Sequence, residues 1–312
     1  MRWVRWGVFA AACAFLYLRL AGHQGMHPGE AGLHGLTMAW PALAVALALM
    51  PLNWTLEAVK WRLLVRGLEP MPTARALAAT LCGTTIGLIT PNRVGEFAGR
   101  VLFLPPEHRV EGGFITVLGS IAQFVVTLFS GGIALAVGGA TMLRGLVPDA
   151  VGLVVLWSAL LIGTGAVVLY LSPALLARLL LGVPLLRRFE REAHALDRVP
   201  PRTLRVVLGL SAARYVVFTV QFAGLAWQMA GTPPVAALLA VPVVFLVTTL
   251  VPTTALTELG VRGSAAAAFI PGDPAAIVPV SALLWVINLV LPALVGGVVL
   301  LVARIRTTRE EP

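Results

Sequence analysis

The stretch Thr90-Pro91-Asn92-Arg93-Val94-Gly95-Glu96-Phe97-Ala98-Gly99-Arg100 decides how this chain folds. It closes the apolar segment 76–92 with a proline, which ends or restarts a helix. Three charged residues follow, and two of them, Glu96 and Arg100, are four apart, so they lie on one helix face and can pair. The stretch therefore predicts a broken or re-entrant helical segment that carries an ion pair.

A second stretch, Val251-Pro252-Thr253-Thr254-Ala255-Leu256-Thr257-Glu258-Leu259-Gly260-Val261-Arg262, repeats this pattern within the apolar segment 235–269. Both stretches read P-x(4 or 5)-E-x3-R. Interrupted hydrophobic segments at corresponding positions of two halves are typical of inverted-repeat transporters, whose binding site lies near the membrane midplane. The two stretches therefore predict an inverted repeat with one shared site.

The composition around these stretches is that of an integral membrane protein. The 312 residues are 58% hydrophobic and 12% charged, whereas soluble domains carry about 25% charged residues. This excludes a soluble enzyme. We predict an all-α polytopic membrane protein, residues 1–312 forming a single domain with one half at about 1–140 and the other at about 150–306. Apart from the two broken segments, uncharged stretches predict six full spans: 4–21, 36–56, 113–138, 151–171, 203–230 and 277–302.

The distribution of Lys and Arg predicts the orientation. Arg2 and Arg5 precede the first span, residues 22–35 contain no Lys or Arg, and Arg304, Arg306 and Arg309 follow the last span. By the positive-inside rule, both termini are cytoplasmic. We therefore expect a protein of the bacterial or archaeal cytoplasmic membrane. The formal charge of +9 belongs to its cytoplasmic face, so nucleic acid is not an expected partner.

Charged side chains inside apolar segments mark the candidate site. Arg93, Glu96 and Arg100 facing lipid would together cost on the order of 8–10 kcal/mol, so they must be paired or lie in a cavity. Arg214, within the span 203–230, needs an anionic partner for the same reason: Glu96, Glu258 or a lipid phosphate. The candidate substrate-binding residues are Arg93, Glu96, Arg100, Arg214, Glu258, Arg262, Gln123, Gln221 and Asn288. The structural residues of the motifs are Pro91, Gly95, Pro252 and Gly260.

Simpler explanations exist for several of these residues. The Glu and Arg pairs can serve only to pin the re-entrant segments, and Gln123, Gln221 and Asn288 can be interhelical hydrogen-bond partners. Gly83 with Gly87, and Gly95 with Gly99, have the spacing that lets helices approach closely. At the end of the second span, aromatic anchoring and a pair between Glu57 and Lys60 account for the polar residues.

No catalytic or metal-binding pattern emerges from the sequence. All five histidines lie outside the predicted spans, whereas an intramembrane Ser–His protease needs its histidine at membrane depth. No phosphate-binding loop of the Walker type is present. We therefore expect no enzymatic activity, no metal and no cofactor.

At residues 90–100 the sequence resembles the flippase-like transmembrane domain family of lysylphosphatidylglycerol synthetases. Pro91, Arg93, Gly95 and Glu96 match the first part of that family's P-x-R-x-G-E-x-x-R signature, and Arg100 supplies its arginine one residue later than the signature has it. Pro252 with Leu259-Gly260-Val261-Arg262 resembles the second signature of the family, and Lys60-Trp61-Arg62 resembles the family's close of the second span. Here Glu258 precedes the arginine, whereas the family commonly has a Glu directly after it. The resemblance implies a stand-alone member that moves lipid and lacks the soluble synthetase domain.

Three functions follow from these observations. The first is a flippase that moves an anionic phospholipid or a polyprenyl-phosphate-linked lipid between leaflets, with phosphate bound by Arg93, Arg100, Arg214 and Arg262. Arginine suits this role because its guanidinium grips phosphate bidentately and stays charged. The second is a non-transporting assembly protein that binds envelope-biosynthesis enzymes. The third is an interfacial enzyme that acts on lipid head groups.

Overall fold

The computed structural model describes residues 39–90, 93–142, 149–251 and 255–302, and these residues are mostly helical, with no strand. The all-α prediction is confirmed for them. The α-helices are α1 (Trp40–Val65), α2 (Thr73–Ile89), α3 (Gly95–Val101), α4 (Arg109–Met142), α5 (Asp149–Tyr170), α6 (Pro173–Leu181), α7 (Glu190–Ala193), α8 (Pro201–Ala230), α9 (Pro234–Leu250), α10 (Ala255–Phe269), α11 (Pro274–Trp285) and α12 (Leu291–Val302). A π-helical turn, Val286–Val290, joins α11 to α12.

Among the described residues, four helices are long and apolar enough to cross a membrane. They are Trp40–Val65, Pro106–Gly138, Pro201–Ala230 and Pro274–Val302, and they overlap four of the predicted spans. The predicted span 151–171 corresponds to the 22-residue helix α5, of which Trp157–Tyr170 forms a shorter apolar helix. The predicted span 4–21 lies outside the described residues. The total of six spans therefore remains a prediction.

Each predicted broken segment forms two helices separated by a short break. α2 ends at Ile89 and α3 begins at Gly95, whereas α9 ends at Leu250 and α10 begins at Ala255. In both cases the residue after the first helix, Thr90 or Val251, has an extended backbone. Pro91 and Pro252 lie in these breaks and outside the described residues. The interruption is thus confirmed at both motifs, while the inverted relation of the two segments stays a prediction.

The α2–α3 hairpin is held together by the glycines that the sequence marked for close packing. A Cβ atom added to Gly99 would lie 2.6 Å from the Cα of Gly83, and one added to Gly95 would lie 2.5 Å from the carbonyl oxygen of Ile86. The Thr90 hydroxyl accepts a hydrogen bond from the Gly95 amide at 2.8 Å and closes the turn. Side chains larger than hydrogen at these positions would push the two helices apart.

Contacts between Cα atoms divide the chain into two compact units. The first combines Met1–Pro51, Thr127–Gly163 and Val216–Asn288, and the second combines Leu52–Val126, Thr164–Tyr215 and Leu289–Pro312. Each unit draws on both of the halves predicted from the sequence. The single domain therefore remains a prediction.

The second unit contains the α2–α3 hairpin and a large apolar core. Trp61, Tyr170 and Leu204 are fully buried in this core, and the Tyr170 hydroxyl donates to the Leu204 carbonyl at 2.9 Å. Helix α12 packs on α2, where Thr85 donates to the carbonyl of Ala293 at 2.7 Å. The core and these contacts fix the hairpin against its neighbours.

The first unit contains α9, α10 and α11, which pack in sequence order. Phe245 of α9 lies edge-on to Phe218 of α8, with ring centroids 6.4 Å apart. The Thr232 hydroxyl donates to the carbonyl of Pro271 at 2.8 Å, which ties the start of α9 to the start of α11. The second motif is thus carried by a packed apolar scaffold of its own.

Candidate functional site

A buried carboxylate, Glu57 of α1, is the centre of the candidate site, and three cations converge on it. Its Oε2 atom accepts from the Lys60 ammonium at 2.6 Å and from Nη1 of Arg214 at 2.8 Å. Its Oε1 atom accepts from Nη1 of Arg100 at 2.7 Å. Glu57 is 5% exposed and Lys60 is 1% exposed. Buried charges of this kind persist only when they are paired and hydrogen-bonded.

Residues of three helices bring these groups together within the second unit. Asn53, Glu57 and Lys60 lie at i, i+4 and i+7 of α1, which places them on one helix face. Arg214 reaches this face from α8, and its Nε atom donates to the side-chain oxygen of Asn53 at 2.7 Å. Arg100 reaches it from α3. The site is therefore assembled from parts of the sequence that are 43 and 157 residues away from Glu57.

The α2–α3 hairpin extends this cluster through a second carboxylate. Nη2 of Arg100 lies 3.5 Å from Oε2 of Glu96, and Arg93 pairs with Oε1 of the same carboxylate. Room for Glu96 and Arg100 is provided by Gly87 and Gly83, because a Cβ at Gly87 would lie 2.4 Å from Cγ of Glu96 and one at Gly83 would lie 2.9 Å from Cγ of Arg100. The predicted pair between Glu96 and Arg100 is present.

We call this ensemble the Glu57 cluster. Its members are Asn53, Glu57, Lys60, Arg93, Glu96, Arg100 and Arg214.

Exposure changes steadily along the Glu57 cluster. The Arg93 side chain is 38% exposed, that of Glu96 is 20% exposed and that of Arg100 is 7% exposed. Arg93 has a left-handed backbone with φ of 55°, a conformation that costs free energy for a residue with a side chain. The charged groups therefore form a continuous series from an accessible arginine to a buried carboxylate.

The second motif forms a simpler arrangement in the first unit. Arg262 donates to Oε1 of Glu258, one turn earlier in α10, and its guanidinium carbon lies 5.9 Å from the ring centroid of Phe245, within the range of a cation–π contact. Gly260 accepts a hydrogen bond from Ser264 at 2.9 Å. The predicted Glu258–Arg262 pair is thus present, and it joins one carboxylate to one guanidinium.

Gln221 and Asn288 bind each other rather than a charged group of the Glu57 cluster. The Asn288 amide donates to the Gln221 side-chain oxygen at 3.0 Å, and the Gln221 amide donates to the Ala46 carbonyl at 2.7 Å. Both contacts lie in the first unit and fit interhelical hydrogen bonding. Gln123, on α4 in the second unit, is half-buried and is not a member of the Glu57 cluster.

The sequence did not assign Asn53, Glu57 or Lys60 to the site. It predicted the pair between Glu57 and Lys60, which is present, but explained it as an anchor at the membrane interface. The predicted partners of Arg214 were Glu96, Glu258 or a lipid phosphate, whereas the carboxylate that it meets is Glu57. The three polar residues on one face of α1 were the signal that could have identified this side of the site.

Comparison of the chain with protein-family models, curated proteins and solved structures found no match. The resemblance to the flippase-like family therefore remains a prediction that rests on the two motifs and on Lys60-Trp61-Arg62. The chemistry of the candidate site must be argued from the Glu57 cluster itself.

Proposed function

We propose that this protein moves an anionic phospholipid or a polyprenyl-phosphate-linked lipid between the leaflets of a membrane. The observation that carries the proposal is the convergence of Lys60, Arg100 and Arg214 on one buried carboxylate, Glu57. Guanidinium and ammonium groups are the usual phosphate ligands of proteins. Ionisable groups within membrane helices mark substrate pathways more often than they serve structure alone.

The graded exposure of the hairpin supports a route for the lipid head group. Arg93 is the most accessible cation of the hairpin and Arg100 the most buried, with Glu96 between them. A phosphate that first meets Arg93 can exchange its partners stepwise toward Arg100, because Glu96 offers each arginine an alternative anion. Glu96 would then hold the arginines in place and release them as the phosphate arrives.

In this proposal, Arg262 of the second motif binds the phosphate of the lipid within the first unit. Arg262 pairs with Glu258 and lies near the ring of Phe245, so its guanidinium is held in a fixed position. In the proposed inverted repeat, this arginine binds the head group on the other part of its path. The same proposal includes six full spans, two segments that enter from opposite sides, both termini in the cytoplasm and a location in the cytoplasmic membrane.

Substitutions in the hairpin test the proposal. Purified protein is reconstituted in proteoliposomes, and the movement of a labelled anionic lipid between leaflets is measured by quenching of the label from outside. We expect Glu96→Gln and Arg100→Ala each to abolish movement while the protein still inserts. The matched control is Arg205→Gln, an exposed arginine on the same helix as Arg214, which we expect to behave as wild type.

Wild-type lipid movement in both hairpin variants would show that the ion pair only pins the hairpin. Absence of movement by the wild-type protein, with normal insertion, would favour the non-transporting assembly protein.

A further inference from the structure

The Glu57 cluster contains more positive than negative charge. Among the described residues, four cations, Lys60, Arg93, Arg100 and Arg214, meet two carboxylates, Glu57 and Glu96. Glu96 is shared by Arg93 and Arg100, and Glu57 is shared by Lys60, Arg100 and Arg214. The charges of these six groups sum to an excess of two positive charges, and Lys60 and Arg100 are almost fully buried.

Hydrogen-bond donors exceed acceptors in the same place. The Lys60 ammonium has three N–H donors and meets Oε2 of Glu57 as its acceptor among the described residues. The Nε atom of Arg100 is buried without an acceptor there. On the acceptor side, Oε1 of Glu96 has no described hydrogen bond but forms the ion pair with Arg93. Buried donors of this kind are normally satisfied, so the cluster has the composition of a site for an anion rich in oxygen atoms.

The cations are also close together. Lys60 and Arg214 both bind Oε2 of Glu57, and Arg100 binds the other oxygen of the same carboxylate. Their nitrogen atoms therefore lie within a few ångströms of one another. One compact phosphate can bridge them, whereas two phosphates joined by a glycerol cannot both reach them.

From the charge excess and this spacing, we infer that the Glu57 cluster selects a compact phosphate that carries two negative charges, such as a terminal phosphomonoester. This inference rests on the proposed function, since it names the class of lipid that the site receives. A phosphomonoester has a charge of about −1.5 to −2 at pH 7 and restores neutrality to the cluster. A phosphodiester such as phosphatidylglycerol has one negative charge and leaves one cation uncompensated.

Lipid binding to the full-length protein in detergent tests this inference, with bound lipid counted by native mass spectrometry. The probes are phosphatidic acid, phosphatidylglycerol and cardiolipin, which has two separate phosphodiesters. We expect phosphatidic acid to bind about tenfold more tightly than either of the others, the factor for one charge-assisted hydrogen bond. Equal affinity for phosphatidic acid and phosphatidylglycerol, or tighter binding of cardiolipin, would overturn the inference.

Variants of Lys60 test whether the preference for phosphatidic acid over phosphatidylglycerol arises in the Glu57 cluster. Lys60→Gln removes one of the two excess charges, so we expect phosphatidic acid to lose its advantage over phosphatidylglycerol. Lys60→Arg retains the charge and should retain the preference, as should Arg205→Gln. An unchanged preference in Lys60→Gln would place the selectivity elsewhere and contradict the inference. If Lys60→Gln does not fold, the ranking of lipids by the wild-type protein still decides.

Competition with inorganic phosphate identifies the source of the anion. Displacement of phosphatidic acid by an equal concentration of inorganic phosphate would indicate a site for free phosphate, and its retention would indicate a site for a lipid head group. The ranking of phosphatidic acid against phosphatidylglycerol, and not this competition, decides whether the site selects a dianion. Selective binding of phosphatidic acid without its movement in proteoliposomes would retain this inference and reject the flippase.

Discussion

Replacement of Glu57 by Gln removes the one carboxylate that Lys60, Arg100 and Arg214 share while keeping the shape of the side chain. Loss of one partner of a buried ion pair destabilises a protein by about 3–5 kcal/mol, because the other charge stays buried without compensation. Glu57 has three such partners at 2.6 to 2.8 Å. We therefore expect a loss of about 5 kcal/mol or more, a large part of the 5–15 kcal/mol that stabilises a typical protein.

A second substitution separates the charge effect from a packing effect. In the double variant Glu57→Gln/Lys60→Gln, one cation is removed together with the carboxylate, so the remaining excess charge is smaller. We expect the double variant to be more stable than the sum of the two single changes by about 1–3 kcal/mol. The matched control is Glu69→Gln, because Glu69 is a half-exposed carboxylate 3.7 Å from Arg75, and exposed pairs contribute about 0–1 kcal/mol.

The assay is equilibrium unfolding of the purified variants in mixed detergent micelles, followed by helical circular dichroism. A change below about 1 kcal/mol in Glu57→Gln, similar to that of Glu69→Gln, would refute the view that Glu57 holds the cluster together. Additive effects of the two substitutions at Glu57 and Lys60 would show that the pair is not coupled.

Further variants address the hairpin, the second motif and the topology. Gly87→Ala places a methyl group 2.4 Å from Cγ of Glu96, so we expect a loss of about 1–3 kcal/mol together with slower lipid movement, whereas Gly224→Ala, with no atom within 4 Å, should change neither. Arg262→Gln should reduce lipid movement in proteoliposomes far more than Arg205→Gln, and equal activity of the two would exclude the second motif from the lipid path. Cysteine labelling should find residues 22–35 outside and the C-terminal tail inside; labelling of both from one side would overturn the proposed orientation.

Sequence patterns predicted the helices and their breaks because these features depend on neighbouring residues. A proline followed closely by several charges favours an end to an apolar helix, because the proline removes a backbone donor and the charges disfavour contact with lipid. Proline alone does not decide this, since Pro51 lies inside α1 and Pro242 lies inside α9. The breaks after Ile89 and Leu250 follow from this local rule. The close packing of Gly83 and Gly99 also follows from their spacing, because only small residues let two helices approach to this distance.

The centre of the site depends on contacts that no local pattern contains. The predicted second span ended at residue 56, because charged residues after an apolar run usually mark the membrane interface. The helix instead continues to Val65 with Glu57 and Lys60 buried. Burial of Glu57 is possible because Arg100 and Arg214 supply opposite charge from distant parts of the chain, and Lys60 is buried in contact with Glu57. The sequence alone explained Glu57 by its pair with Lys60 at the membrane interface. That explanation did not predict the contacts of Glu57 with Arg100 and Arg214.

The π-helical turn at Val286–Val290 gives the last helical segment a tolerance to changes in chain length. Each residue of such a turn bonds five positions along instead of four, so the turn holds one residue more than an α-helical turn does. Loss of one residue there would convert it to regular α-helix without rotating the helix on either side. Ser281 before the turn and Gly296 after it, both buried, would keep their faces. The chain can therefore lose one residue at this point while the packing of α12 against α2 is preserved.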